Sequence, residues 1–120
     1  MDTPMDTISQ QEYVRELLLI YVKTPGTTGK VRRQDRLQAA ILYQQKVPLT
    51  VAQNALLLAA ARRLLRPEGA PPLATVRSLA YFLPVIDEVL HLDVNPAYFH
   101  YLQNKIERYA PAPLSAPTKR

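Results

Sequence analysis

Positively charged side chains are concentrated in one stretch of this chain, and they are the residues best suited to bind a ligand. Nine of the fifteen Lys and Arg residues fall between Lys30 and Arg77, where only Asp35 and Glu68 oppose them. Nine cations against two carboxylates give this stretch a net charge of +7, whereas the whole chain carries +5. Such segregation of charge is typical of a surface that binds a polyanion, most often a nucleic acid.

The cations divide into two groups by their predicted positions on helices. Arg62, Arg63 and Arg66 fall at the end of one predicted helix, where the helix dipole favours a cation by about 0.3 to 1 kcal/mol. The other group lies at the beginning of another predicted helix, where the dipole disfavours a cation by a similar amount. That second group consists of Lys30, Arg32, Arg33 and Arg36. Helix energetics therefore explain the first group and leave the second without a local explanation.

Helical spacing places Arg32, Arg36, Tyr43 and Lys46 on one face, with Arg33 at its border. Cations neutralise phosphates, and an aromatic ring among them stacks on bases, so this face favours nucleic acid. The free N–H groups that begin the helix add a favourable place for a phosphate. A plain solvated helix face is the alternative interpretation. The expected nucleic-acid-binding residues are Lys30, Arg32, Arg33, Arg36, Tyr43, Lys46, Arg62, Arg66 and Arg77.

No pattern typical of catalysis accompanies these cations. The segment 26–30, GTTGK, is too short for a phosphate-binding P-loop, and Val31 replaces the Ser or Thr that would hold Mg²⁺. The chain has no cysteine, and its two histidines fall in different predicted helices. Asp87 and Glu88 are adjacent and therefore splayed by about 100° on a helix, which is poor geometry for paired acid and base work. We expect a non-enzymatic protein with no catalytic, metal or cofactor site.

The elements that position these residues are helices, and proline marks most of their boundaries. The predicted helices span Ile8 to Tyr21, about Lys30 to Gln45, Pro48 to Leu65, Thr75 or Ser78 to Leu90, and Pro96 to about Tyr109. Their predicted N-caps are Ser9 or Thr7, Thr28 and Asn95. Pro84 must bend the fourth helix or split it in two. The sequence therefore predicts an all-α fold, a compact bundle of five helices.

The third predicted helix is expected to be the centre of this bundle. Residues 55–61 are apolar on all sides, so no face of the helix is left for water. In the second helix, Leu37, Ile41 and Leu42 are predicted to lie on one side. Phe82 and Phe99 are expected to be in the core. A single domain over residues 1–110 is expected, with a disordered, proline-rich tail over residues 111–120.

A soluble, cytoplasmic protein is the expectation from the apolar content. The most apolar stretch, residues 51–61, is far shorter than the roughly 20 residues that span a bilayer. The first residues also lack the basic and then apolar pattern of a signal peptide.

Two segments together resemble a known family. Residues 47–59, and after a proline loop residues 76–86, resemble the C-terminal helical module of DnaD-like proteins and of related plasmid and phage replication initiators. In that module a mostly apolar helix precedes a Ser, a Tyr three residues later and an Ile further on, here Ser78, Tyr81 and Ile86. Pro84 and the absence of tryptophan depart from the family pattern. The resemblance implies a DNA-binding accessory of replication, in a plasmid, phage or transposable element.

Two functions of different classes follow from the sequence. The first is a DNA-binding helical protein that contacts phosphates through its basic face. RNA carries the same backbone charge and is an alternative ligand to DNA. The second helix is the better candidate to read DNA, because the third is too apolar. The second function is a protein-interaction subunit of a replication, transposition or CRISPR-type complex, whose basic face binds an acidic partner.

Overall fold

The computed structural model describes residues 8–67, 69–92 and 96–109, and in these residues the fold is all-α, as predicted. The five α-helices of this part are α1 (Gln10–Lys23), α2 (Arg33–Gln44), α3 (Leu49–Leu64), α4 (Leu83–Leu90) and α5 (Pro96–Tyr109). A 3₁₀ turn, Leu79–Phe82, directly precedes α4. The predicted cap Asn95 and the predicted tail, residues 111–120, lie outside the described residues.

Helix α3 forms the centre of the bundle, which confirms the prediction made from its composition. It packs against α1, α4, α5 and the 3₁₀ turn. Its buried positions are mostly alanine: Ala52, Ala55, Leu56, Leu58, Ala59, Ala60 and Ala61. Small side chains let the neighbouring helices approach closely, and larger residues such as Phe82 and Phe99 fill the remaining space.

Local sequence signals fix the beginning of α1 and of α4. The Ser9 hydroxyl accepts a hydrogen bond from the Glu12 N–H, and the Glu12 carboxylate accepts one from the Ser9 N–H, both at 3.1 Å. This capping box confirms Ser9 as the cap of α1. Pro84 splits the fourth predicted helix, as expected. Residues 79–82 form the 3₁₀ turn, and Pro84 lies in the first turn of α4, where its missing N–H costs no helical bond.

Helix α2 begins at Arg33, later than predicted, and Thr28 is not its cap. The Thr28 N–H instead donates to the Val76 carbonyl at 3.1 Å, while the Val76 N–H donates to the Gly26 carbonyl at 2.7 Å. Gly26 has a φ of 95°, a left-handed conformation that favours glycine. A Cβ there would also lie only 2.9 Å from the Arg63 Nε atom. The segment after α1 is therefore held beside residue 76 and cannot start the helix.

Asp35 fixes the actual beginning of α2. Its side chain is buried, with 1% of its surface exposed. One carboxylate oxygen, Oδ2, accepts from the Arg32 N–H at 2.9 Å, and the other, Oδ1, accepts from the Leu79 N–H at 2.9 Å. One side chain therefore caps both α2 and the 3₁₀ turn, and it joins two elements that are distant in sequence.

Candidate nucleic-acid interface

Four of the predicted site residues lie together on the surface around the beginning of α2. They are Lys30, Arg32, Arg33 and Arg36, and all four are exposed. Among the described residues, none of them forms an ion pair with an acidic side chain. Asp35 lies between them in sequence, but both of its oxygens accept backbone hydrogen bonds in the interior. The surface here is therefore strongly positive.

Arg77 joins this group through long-range backbone contacts. Val76, just before it, is hydrogen-bonded to the segment that leads into α2. Leu79, two residues after it, donates to Asp35 in the first turn of α2. Val76 is buried and Arg77 is exposed, so the arginine lies on the outer side of this junction. We call Lys30, Arg32, Arg33, Arg36 and Arg77 the basic cluster.

Tyr43 and Lys46 lie apart from the basic cluster. Tyr43 is half-buried, its ring packs edge-on against Tyr13 with the ring centres 5.3 Å apart, and its hydroxyl donates to the Ile8 carbonyl at 3.3 Å. Lys46 lies beyond the end of α2, in a left-handed conformation with a φ of 64°. A 12-residue helix separates Lys46 from Arg33 by about 18 Å. The single face predicted from regular helical spacing is therefore not formed.

Arg62 and Arg66 form contacts within the protein. The Arg62 guanidinium donates to both oxygens of the Glu88 carboxylate, at 2.9 and 2.5 Å, and so joins α3 to α4. This hydrogen-bonded pair raises the pKa of Arg62 and lowers the pKa of Glu88. The Arg66 guanidinium donates to the Pro71 carbonyl at 2.6 Å.

Their neighbour Arg63 also forms contacts within the protein. It donates to the Ala74 carbonyl at 2.8 Å and to the Tyr81 hydroxyl at 3.2 Å, and its guanidinium lies over the Tyr81 ring. The three arginines at the end of α3 therefore attach the loop before the 3₁₀ turn, and α4, to the central helix. These contacts stabilise the fold in addition to the dipole effect expected from the sequence.

The outward side of α2 carries two aliphatic residues that were predicted to share a side with Leu42. Leu42 is buried, but Leu37 is 55% exposed and Ile41 is 44% exposed. The side that packs against α1 and the 3₁₀ turn is instead formed by Asp35, Ala39 and Leu42. Leu37 and Ile41 therefore do not share a side with Leu42, because burial of the Asp35 cap selects a different face.

A shallow cleft follows this outward side of α2. It has a volume of about 310 Å³ and lies between α2 and the beginning of the 3₁₀ turn. Its walls include Gln34, Gln38 and Ile41 from the helix and Ser78 and Ala80 from the turn. The cleft therefore borders the basic cluster, because Arg33 and Arg36 lie on α2 and Arg77 directly precedes Ser78.

A larger cavity of about 670 Å³ lies between the end of α1, the middle of α3, and α5. Apolar residues such as Ile20, Leu57 and Phe99 line it, together with polar groups such as His100. The hydroxyl of Thr24, which also lines it, donates to the Ile20 carbonyl at 2.7 Å and is not placed as a nucleophile. The basic cluster contributes no residue to its described lining.

Neither a metal site nor a membrane-spanning helix is present in the described part of the chain. Residues 8–67, 69–92 and 96–109 hold no group of three His, Asp or Glu side chains placed to bind a metal ion. Within these ranges, no helix has the length and apolar character needed to cross a membrane.

No protein-family model, curated protein or solved structure matches the chain. The function is therefore inferred from the chemistry of the surface.

Proposed function

We propose that this is a non-enzymatic nucleic-acid-binding protein, a DNA-binding accessory of replication or of a mobile element, which contacts backbone phosphates through the basic cluster. The observation that carries this proposal is the composition of the cluster. Two separate segments contribute five exposed cations to one junction, and no carboxylate among the described residues pairs with any of them.

Gathering these charges has a cost that a bound polyanion would remove. Arg33 and Arg36 lie in the first turn of α2, where the positive end of the helix dipole disfavours each cation by about 0.3 to 1 kcal/mol. Arg77 adds like-charge repulsion at the same place. Phosphates neutralise all of these charges at once, and the release of counterions from DNA supplies the driving force for binding.

The resemblance of residues 76–86 to DnaD-like modules supports the same function. Ser78 of that motif directly follows Arg77, and Tyr81 lies in the 3₁₀ turn that Asp35 joins to α2. The resemblance also suggests the setting, which is replication of a plasmid, phage or transposable element.

A binding titration with a charge-matched control tests the proposal. Fluorescence anisotropy of a labelled DNA duplex should show tight binding at about 50 mM salt and binding weaker by orders of magnitude at about 200 mM. The double variant R33E/R36E should lose this binding. The control R15E/R108E changes the net charge by the same amount at exposed arginines of α1 and α5, and it should bind nearly as the wild type does. Absence of binding at low salt, or an equal loss in the control, would refute the proposal.

The alternative is an interaction subunit of a replication, transposition or CRISPR-type complex. Exposed Leu37 and Ile41 beside the basic cluster favour it, because an apolar patch with cations at its border suits an acidic protein partner. Polyglutamate is a simple probe for this function. Binding of polyglutamate that is lost in R33E/R36E, with no binding of DNA or RNA at low salt, would favour the alternative.

A further inference from the structure

We propose that the outward side of α2 reads A·T base pairs in the major groove of duplex DNA. This inference rests on the proposed function, and it specifies the substrate of the same site. It assigns base contacts to a set of residues that the phosphate-binding cluster does not include. They are Gln34, Leu37, Gln38 and Ile41.

These four residues form a continuous surface. At about 100° per residue they fall within an arc of about 100° on α2. Leu37 and Ile41 are one helical turn apart and exposed, and Gln34 and Gln38 form a parallel row beside them. In the described part of the chain, neither glutamine side chain forms a hydrogen bond, so both amides are available to a ligand.

The chemistry of this surface matches A·T pairs. A glutamine amide can donate to N7 and accept from N6 of adenine at once, and an aliphatic side chain packs against the C5 methyl of thymine. The paired N7 acceptor and N6 donor of adenine and the C5 methyl of thymine are displayed only in the major groove. A G·C pair has neither this donor and acceptor pair nor the methyl group. With 12 residues, α2 is about 18 Å long, which suits the roughly 12 Å wide groove that admits one α-helix.

Cations lie on both flanks of this surface. Arg33 is exposed and four residues from Leu37, and therefore about 40° from it around the helix, on the side away from Gln34 and Gln38. Arg77 lies on the other side, next to Ser78 in the cleft wall. A helix in the major groove has one phosphate backbone on each side, so cations on both flanks fit a duplex.

Aromatic residues near the cluster are not placed to stack on bases. Tyr43 packs against Tyr13 and bonds to the Ile8 carbonyl. Tyr81 is exposed, but the Arg63 guanidinium covers its ring and the Phe82 ring packs edge-on against it. Single-stranded nucleic acid is typically bound by exposed aromatic platforms. The surface is therefore better suited to duplex DNA than to a single strand.

Modified duplexes separate this inference from general phosphate binding. By anisotropy, the wild type should bind an A·T duplex about tenfold or more tighter than a G·C duplex of equal length. Replacing thymine by deoxyuridine removes the methyl group, and replacing adenine by 7-deazaadenine removes the N7 acceptor. Each should weaken binding severalfold, because both changes alter only the major groove.

Variants of α2 assign the contacts. Q34A/Q38A should lose the sensitivity to 7-deazaadenine, and L37A should lose the sensitivity to deoxyuridine. Both should keep salt-dependent binding to either duplex, because the basic cluster is intact. Circular dichroism should show unchanged helix content, since Gln34 and Leu37 are exposed and Gln38 is half-buried.

Four results would overturn the inference. Equal affinity for the two duplexes, tighter binding of a single strand or of RNA, or indifference to both modified bases would each do so and leave the proposed function standing. The fourth is a wild-type dimer in sedimentation that becomes a monomer in L37E/I41E, because the surface would then be an interface between copies. Absence of binding to any nucleic acid at low salt would refute the proposed function itself.

Discussion

Asp35 determines where α2 begins and where Arg77 lies relative to it. Replacing it with alanine removes the acceptor of two backbone N–H groups at a buried position. An unmet buried donor costs about 1 to 3 kcal/mol, so D35A should lower the free energy of unfolding by about 2 to 4 kcal/mol. Urea denaturation followed by circular dichroism measures this change. D35N keeps one acceptor oxygen, so its free energy of unfolding should lie between those of D35A and the wild type. Equal stability of all three proteins would contradict the role of Asp35.

Two buried tyrosines differ in the use of their hydroxyl groups. The Tyr13 hydroxyl donates to the Val47 carbonyl at 2.8 Å, and burial raises the pKa of Tyr13 to about 12. The Tyr21 hydroxyl has no partner among the described residues. Burial, together with the negative charge of Asp35, raises its pKa. One hydroxyl therefore stabilises the fold, while the other carries an uncompensated loss of hydration.

Phenylalanine substitutions should separate the two tyrosines. Y13F loses a buried hydrogen bond and should lower the free energy of unfolding by about 1 kcal/mol. Y21F removes a hydroxyl that bonds to nothing in the described structure, so it should leave stability unchanged or raise it by up to about 1 kcal/mol. Thermal unfolding of the wild type and of both variants in the same buffer measures these changes in stability. A loss in Y21F as large as that in Y13F would mean that the Tyr21 hydroxyl has a partner.

The elements α3 and α4 are joined by the pair of Arg62 and Glu88, and this contact should depend on pH. Because Arg62 lowers the pKa of Glu88 below its ordinary value of 4.5, the carboxylate stabilises the folded state above that value. The contribution disappears as the pH falls through the lower pKa of the folded state. The melting temperature of E88Q should therefore lie below that of the wild type at neutral pH, and the two should converge in acid.

A carboxylate outside this pair provides the control for E88Q. Glu107 is exposed on α5 and accepts a hydrogen bond from the neutral Gln103 amide at 3.4 Å. E107Q should follow the wild-type melting temperature at every pH. Convergence of E88Q with the wild type at neutral pH, or a constant gap down to strong acid, would show that the ion pair does not join the two helices as described.

The helices themselves could be predicted because their signals are local. The capping box at Ser9, the prolines at 48, 84 and 96 and the apolar run in α3 each act over a few residues. The beginning of α2 and its buried face could not be predicted in this way. The bonds of Thr28 to Val76 and of Asp35 to Leu79 join residues that are far apart in sequence, and they override the capping and periodicity signals of α2 itself.

The candidate site was predicted only in part, for the same reason. The sequence places four cations at the beginning of α2, but it includes Arg77 by charge alone, and the contacts of Val76 and Leu79 give that residue its position. Tyr43 was expected on the basic face because its angle on an ideal helix agrees. The packing of its ring against Tyr13, on α1, is a tertiary contact that helical periodicity cannot indicate.

At the scale of the whole molecule, the +7 stretch of the sequence is not one surface. Arg62, Arg63 and Arg66 form contacts with other parts of the protein, and Lys46 lies at the opposite end of α2 from the cluster. Five cations remain at the junction of α2 with residue 77. If the proposed function holds, the number of cations that meet phosphates is therefore set by the fold and is smaller than the sequence count.

The salt dependence of DNA binding measures this number directly. Each neutralised phosphate contributes about −0.9 to the slope of log K against log salt concentration, so five contacts predict a slope of about −4 to −5. R77A should reduce its magnitude by about 1, because Arg77 belongs to the cluster. R62A should leave the slope unchanged while lowering the melting temperature, because Arg62 binds Glu88. A slope near −8, reduced equally by both variants, would mean that DNA meets the whole basic stretch of nine cations and not the basic cluster.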